Sequence, residues 1–173
     1  MACRYSLIST VSDINGGMMR LVVIVFGSLL IALGTTSRSA IAQSQDAQAI
    51  RAKNDGYYAA LSSRDAAALE RVWDHDGQVF NIFGVSKAPM IGWEAVKSGY
   101  EDLFNRFPEL SVQMSEPAIR QNGENALVIG VEAQKVKLPN GENASAVLVA
   151  TNVFVQRSGR WLMIHHHSSR PPQ

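Results

Sequence analysis

One cysteine, Cys3, stands in a chain of 173 residues. A disulfide framework and a cysteine-based metal site are therefore excluded. Charge is also scarce. Charged residues make up 18% of the chain and the formal net charge is +1. No basic stripe runs along it, so the sequence makes no electrostatic case for nucleic acid. No apolar run reaches the roughly 20 residues that span a bilayer as a helix. There is no phosphate-binding glycine loop, no dinucleotide G-x-G-x-x-G, no G-x-S-x-G elbow and no H-E-x-x-H pair. Internal repeats and low-complexity segments are absent as well. What remains is a chain of ordinary composition, 46% hydrophobic, long enough for one domain with a core.

The N-terminus reads as separate from that domain. Arg20 precedes an apolar run from Leu21 to Leu33, and small and polar residues follow up to Ala40-Ile41-Ala42. A basic flank, a short apolar core and an A-x-A site are the parts of an export signal. Residues 1–42 are thus expected to be removed before Gln43, giving an exported, periplasmic or secreted protein with no membrane segment. The competing reading is a short membrane anchor. Met18 or Met19 would be a more usual start for such a signal. Cleavage removes Arg4, Arg20 and Arg38 against Asp13, which takes the formal net charge from +1 to about −1. It also removes Cys3, and with it any thiol nucleophile.

The mature chain, 43–173, opens with helices. Ala47, Ile50, Tyr57 and Leu61 recur at helical spacing over Gln43 to Ser62, with Asp46 placed to cap the first turn. Gly56 is unfavourable in a helix interior and suggests a close approach by another element, or else a local kink. Asp65 is a good N-cap for a second helix, Ala66 to Trp73. Asp74-His75-Asp76-Gly77 reads as a turn; its two acids and histidine form a possible but poor metal set. A short strand over 78–83 and a loop with Pro89 and Gly92 come next. Trp93, Val96, Tyr100, Leu103, Phe104 and Phe107 then mark an amphipathic helix, which Pro108 ends.

From Glu109 onward the pattern is four strands, about 109–120, 125–138, 144–156 and 160–169. Gln121-Asn122-Gly123-Glu124, Pro139-Asn140-Gly141-Glu142 and Arg157-Ser158-Gly159 separate them, and Asn-Gly is a strong hairpin signal. Helices first and antiparallel strands after give an α+β layer fold. The strand over 144–156 is apolar on both faces, so both need cover. Helices cover one, and a second subunit is the simplest cover for the other. A homodimer through the sheet is the expectation.

The final strand carries the densest chemistry, Trp161-Leu162-Met163-Ile164-His165-His166-His167. In a regular strand Trp161, Met163, His165 and His167 share one face. A two-residue Ser158-Gly159 loop sets Asn152 across from His165 and Ala150 across from His167. That face is an apolar wall with a few polar groups, the usual makeup of a small-molecule pocket. Glu132 is an acid in an apolar strand. A two-residue Asn140-Gly141 loop pairs it with Val149, on the face away from the histidines, and a one-residue bulge would bring it onto their face. Three uses of His165 and His167 stay open: general acid/base catalysis, hydrogen bonding to a ligand in a binding module, and metal ligation, for which a third ligand is wanting. His166, on the opposite face, reads as structural or interfacial.

These segments together resemble the SnoaL-like members of the nuclear transport factor 2-like superfamily. Tyr58-Ala59-Ala60-Leu61, Asp65 to Leu69 and Trp73 resemble the two opening helices. Gly92-Trp93-Glu94-Ala95-Val96 resembles the start of the third. Ala150 to Phe154 and Gly159-Arg160-Trp161 through His165-x-His167-x-Ser169 resemble the last hairpin. The resemblance implies a cone: a curved antiparallel sheet wrapped by three helices around a pocket, often dimeric through the sheet. It implies a small-molecule ligand and names no cofactor. The pocket would be lined by Tyr58, Trp73, Glu132, Asn152 and Met163, with His165 and His167 as catalytic candidates; Trp73, Trp93, Phe104 and Phe107 also read as plain core. The members include binding modules, isomerases, cyclases and dehydratases, so the fold leaves function open. The isomerase pattern of a pocket Asp base with Tyr and Asp oxyanion donors has no match here.

Overall fold

The computed structural model describes residues 29–171 apart from Gly77, with side-chain surroundings from Gln43 onward. The basic flank and most of the apolar run of the expected export signal lie outside the described residues. The chain divides into two units, residues 1–41 and 42–173. The sheet and its packing belong to the second. Among the described residues no helix is long and apolar enough to cross a membrane.

Helix α1 (Leu29–Ser63) is followed by α2 (Ala66–Val72), β1 (Phe80–Ile82), β2 (Met90–Ile91), α3 (Trp93–Arg106) and four long strands. These are β3 (Leu110–Asn122), β4 (Asn125–Lys137), β5 (Asn143–Arg157) and β6 (Arg160–Ser169). The sheet runs β2-β1-β6-β5-β4-β3. It is antiparallel except at β1, which lies parallel to β6. The architecture is the expected α+β fold with three helices, on an open, mixed sheet rather than a wholly antiparallel one. Strand β2, in the loop before α3, is an element the periodicity did not reveal.

Local chemistry sets the element ends. Asp65 caps α2, its carboxylate accepting from the Ala68 amide at 2.9 Å; such a cap is worth about 1 kcal/mol. The Arg64 guanidinium donates to the Phe104 and Pro108 carbonyls (2.6 and 2.8 Å) and closes the end of α3. The Asp46 cap is corrected. Because α1 begins upstream, the first-turn amides are elsewhere, and the Asp46 carboxylate instead accepts from Gln121, Gln156 and the Trp161 indole. Gly56 is corrected too: a Cβ there would meet nothing within 4 Å, so no element approaches.

The inner face of the sheet packs on the helices. Ile50, Tyr57 and Leu61 of α1, Leu69 of α2, and Val96, Tyr100 and Phe104 of α3 meet Val112, Val128, Phe154 and Met163. Burying one such side chain contributes about 1.5–3 kcal/mol. The outer face is a contrast. Ile129, Val131, Val147 and Val149 are 45 to 59% exposed there.

Two hairpins have two-residue turns, one of them the expected Ser158-Gly159 loop. Arg157 faces Arg160 across Ser158 and Gly159, both at positive φ, as a type I′ turn requires. Asn122 faces Asn125 across Gly123 and Glu124, with φ positive at Gly123 and not at Glu124, the pattern of a type II′ turn. The third hairpin does not. Its ladder ends at Lys137 and Asn143, and the Leu138 amide bonds the Glu142 carbonyl. The loop is the three residues Pro139-Asn140-Gly141, with Gly141 at φ 86°. Pro139 has no N–H to offer Glu142, so Leu138 makes the closing bond. Glu132 therefore pairs with Leu148 rather than Val149.

A second irregularity decides the final strand. From Arg160 to Met163 the register is the expected one; beyond it Val153 faces His165 and Asn152 faces His166. Ile164 is a bulge residue with no partner of its own. An extra residue moves everything beyond it to the opposite face. The expected Asn152–His165 and Ala150–His167 pairs are thus corrected to Asn152–His166 and Thr151–His167.

Candidate functional site

The two one-residue shifts bring Glu132 and His166 together on the inner face. Glu132 and His166 are each 1% exposed, and Asn54 and Asn152 are fully buried. Asn54 comes from the apolar stripe of α1, where a polar side chain at a core position must find partners. It finds the Asn152 amide, which donates to its Oδ1 at 2.7 Å and to the Tyr58 hydroxyl at 3.3 Å. The remaining Asn152 atom, Oδ1, lies 2.7 Å from His166 Nδ1. An amide oxygen only accepts, so Nδ1 carries the imidazole proton. His166 Nε2 is left as a lone pair. It points toward Glu132, 4.0 Å from Oε2.

Glu132 is held from two sides. Tyr58 donates to Oε2 at 3.1 Å and Gln134 donates to Oε1 at 2.6 Å. Burial nevertheless pushes the carboxyl above its usual range, against the lowering effect of those two bonds. Burial also pulls His166 down to about 3, helped by repulsion from His165 and His167. The imidazole is therefore neutral at physiological pH, and its contact with Glu132 is not an ion pair. Burial, then the Glu132 charge, keeps the Tyr58 phenol protonated. The Tyr57 and Tyr100 hydroxyls hydrogen-bond at 3.0 Å, and the Tyr57 ring lies 5.1 Å from the His166 ring.

Glu132, His166 and Tyr57 form the buried end of a cavity of about 230 Å³. Its walls are mostly apolar, with Leu61, Phe83, Leu110, Val112 and Leu148 among them. A polar acid/base pair at the end of an apolar slot can orient a small molecule and exchange a proton with it.

The residues singled out from the sequence are divided by this geometry. Glu132 lines the cavity. Tyr58 and Asn152 stand behind it as partners of Glu132 and His166. Trp73 and Met163 are core, joined in an isolated bridge and buried beneath the site. His165 and His167 lie on the outer face, rings 6.4 Å apart, away from Glu132. Burial, then the neighbouring His167, lowers the His165 pKa. Among the described residues no three potential ligands gather to hold a metal. In the segment Asp74-His75-Asp76, His75 donates to the Glu70 carbonyl and stacks on Trp93, while Asp74 and Asp76 pair with Arg157. His166, Asn54 and Gln134 are the site residues that sequence reasoning missed. For Asn54 a signal existed: an asparagine on an otherwise apolar helix stripe.

The family model of the SnoaL-like domain matches residues 50–173. The chain belongs to the SnoaL-like domain family. No curated protein sequence matches it. A nuclear transport factor 2-like superfamily protein from Salmonella enterica superposes with a TM-score of 0.70 at 17% identity, over 76% of this chain and 94% of that one. A protein from Streptomyces avermitilis, provisionally assigned as a dehydratase of the same family, gives 0.69 at 20% identity, over 75% and 99%. A Xanthomonas campestris protein, provisionally assigned as a calcium/calmodulin-dependent protein kinase II association domain, gives 0.63 at 22% identity, over 72% and 86%. Similarity at these identities speaks for the shared fold alone.

Proposed function

We propose that this SnoaL-like domain binds a small, largely apolar molecule in the cavity above Glu132 and His166, and moves a proton on it. The observation that carries this reading is the pair itself: a buried carboxyl whose pKa burial raises, 4.0 Å from the free Nε2 of a neutral imidazole. One group can take a proton from a bound carbon or hydroxyl while its neighbour returns one nearby, as isomerisation or dehydration requires. This assigns to His166 the role that the alternating pattern assigned to His165 and His167. A binding module without chemistry is the second reading, favoured by the depth of the network, since every polar group of Glu132 and Asn152 already has a partner.

The test is proton exchange. Carbonyl compounds that bind the purified protein are incubated with it in D2O and followed by NMR. Deuterium should enter at an acidic C–H, and Glu132→Gln should slow entry by about 100-fold or more. Binding with no exchange, equal in wild type and variant, leaves the module reading.

Two further parts of the proposal concern the whole protein. It is exported after loss of residues 1–42, on the strength of the Arg20 flank, the Leu21–Leu33 run and Ala40-Ile41-Ala42. It forms a homodimer over the outer sheet face, whose exposed Ile129, Val131, Val147 and Val149 want cover. Native mass spectrometry of protein from the exported fraction addresses both. The expected species is a dimer of chains beginning at Gln43; a monomer, or a chain retaining Leu21–Leu33, counts against the corresponding part.

A further inference from the structure

The cavity has two unlike ends. Glu132, His166 and Tyr57 close the inner one, each 1% exposed or less. Arg106 and Arg170 also line the cavity but are exposed, and so mark its mouth. They arrive from different elements, Arg106 from the last turn of α3 and Arg170 from the residue after β6. Among the described residues neither has a carboxylate within ion-pairing distance. Among the described residues no acid other than Glu132 lines the cavity.

An arginine in a last helical turn often serves the helix terminus. Here that task is already done by Arg64, which donates to the Phe104 and Pro108 carbonyls. Arg106 instead lies over the Phe107 ring, 5.3 Å from its centroid, which leaves its in-plane N–H groups free. Apolar surface accompanies the two cations: Phe107 and Leu138 line the same cavity, as does Val85, which is 63% exposed.

We infer that the occupant is an apolar monocarboxylate, its body in the slot and its carboxylate between Arg106 and Arg170 at the mouth. The inference rests on reading the cavity as a small-molecule site. Guanidinium groups match a carboxylate in shape and charge. The helix end that contributes Arg106 and Phe107 to the lining is the C-terminal, partially negative one of α3, which does not favour a phosphate dianion. This polarity places the far end of the molecule, not its carboxylate, against Glu132, so two like charges are not brought together.

The test compares 3-phenylpropanoate, its neutral amide 3-phenylpropanamide, and 2-phenylethyl phosphate, by calorimetric titration of the purified protein. The carboxylate should bind roughly tenfold more tightly than the amide at low salt, and added salt should shrink that preference. In an Arg106→Gln/Arg170→Gln double variant the preference should fall to near one while amide binding persists, which also shows that the variant is folded. Equal binding of acid and amide to the wild type overturns the inference and leaves the cavity reading standing. A preference that survives in the double variant overturns it as well, because the carboxylate is then held elsewhere. Tighter binding of the phosphate shows that the ligand class is wrong. If none of the three binds, the inference and the small-molecule reading fall together.

Discussion

His166 and its two neighbours are the same side chain three times over, yet they occupy opposite faces of one strand. His166 is 1% exposed, bonded to Asn152 and held neutral in the core. His165 and His167 lie half-buried on the outer face beside Val153 and Thr151. A single bulge residue, Ile164, decides which histidine meets Glu132. Position in the alternation, rather than residue type, separates a group with a tuned proton from a pair on a surface that wants a partner.

The comparison breaks most visibly on truncation. His166→Ala removes the partner of Asn152 Oδ1 and opens a void beside Tyr57. An unpaired buried acceptor costs about 1–3 kcal/mol, and the void adds to it. A loss of about 2–4 kcal/mol in urea unfolding is expected. His167→Ala leaves the inner network untouched and should stay within about 0.5 kcal/mol in the isolated subunit. Equal losses for the two variants would place the bulge elsewhere.

The order of elements was legible in the residues; the faces were not. Asp65, Pro108, Gly123 and the Ser158-Gly159 turn each announce an end through chemistry local to the chain, and those ends appear within a residue or two of where expected. The two slips were of a different kind. Gly141 and Pro139 flagged irregularity without fixing whether the loop had two residues or three. Ile164 has no special backbone need, and nothing local distinguishes it from a regular strand residue. Its bulge lets Met163 and His166 both face inward, which is a demand of the assembled core. Arg106 and Arg170 were silent for a related reason: sixty-odd residues apart, they line one cavity only once the chain has folded.

Acid sharpens the comparison between the faces. The His166 pKa falls from 6.5 to about 3 on folding, chiefly through burial. The unfolded chain therefore binds this proton first. The stability tied to the neutral ring is complete above the unfolded value near 6.5 and is lost as pH falls from there toward 3. The denaturation midpoint should drop between about pH 7 and pH 5. His166→Gln should flatten that slope. In NMR titration the His166 ring should stay neutral through this window while His165 gains its proton below the usual histidine range. A His166 ring that protonates together with His165 would dissolve the distinction.

The smallest effect has the opposite sign. Burial raises the Glu132 carboxyl, so the native state holds that proton more tightly than the unfolded chain does. Its contribution is present at low pH and lost as pH rises through the folded value, where a carboxylate must exist in the core. Glutamine has the same shape, keeps an oxygen for the Gln134 donor and carries no charge. Glu132→Gln should therefore match the wild type in thermal stability at acid pH and exceed it increasingly toward pH 8, a rise of a few degrees at most, while exchange activity falls. Stability gained where chemistry is lost is what a functional site predicts, since a buried acid kept only for packing has no reason to be ionisable. Should Glu132→Gln destabilise the fold at every pH, the carboxylate is a structural partner of Tyr58 and Gln134, and the acid/base reading loses its acid.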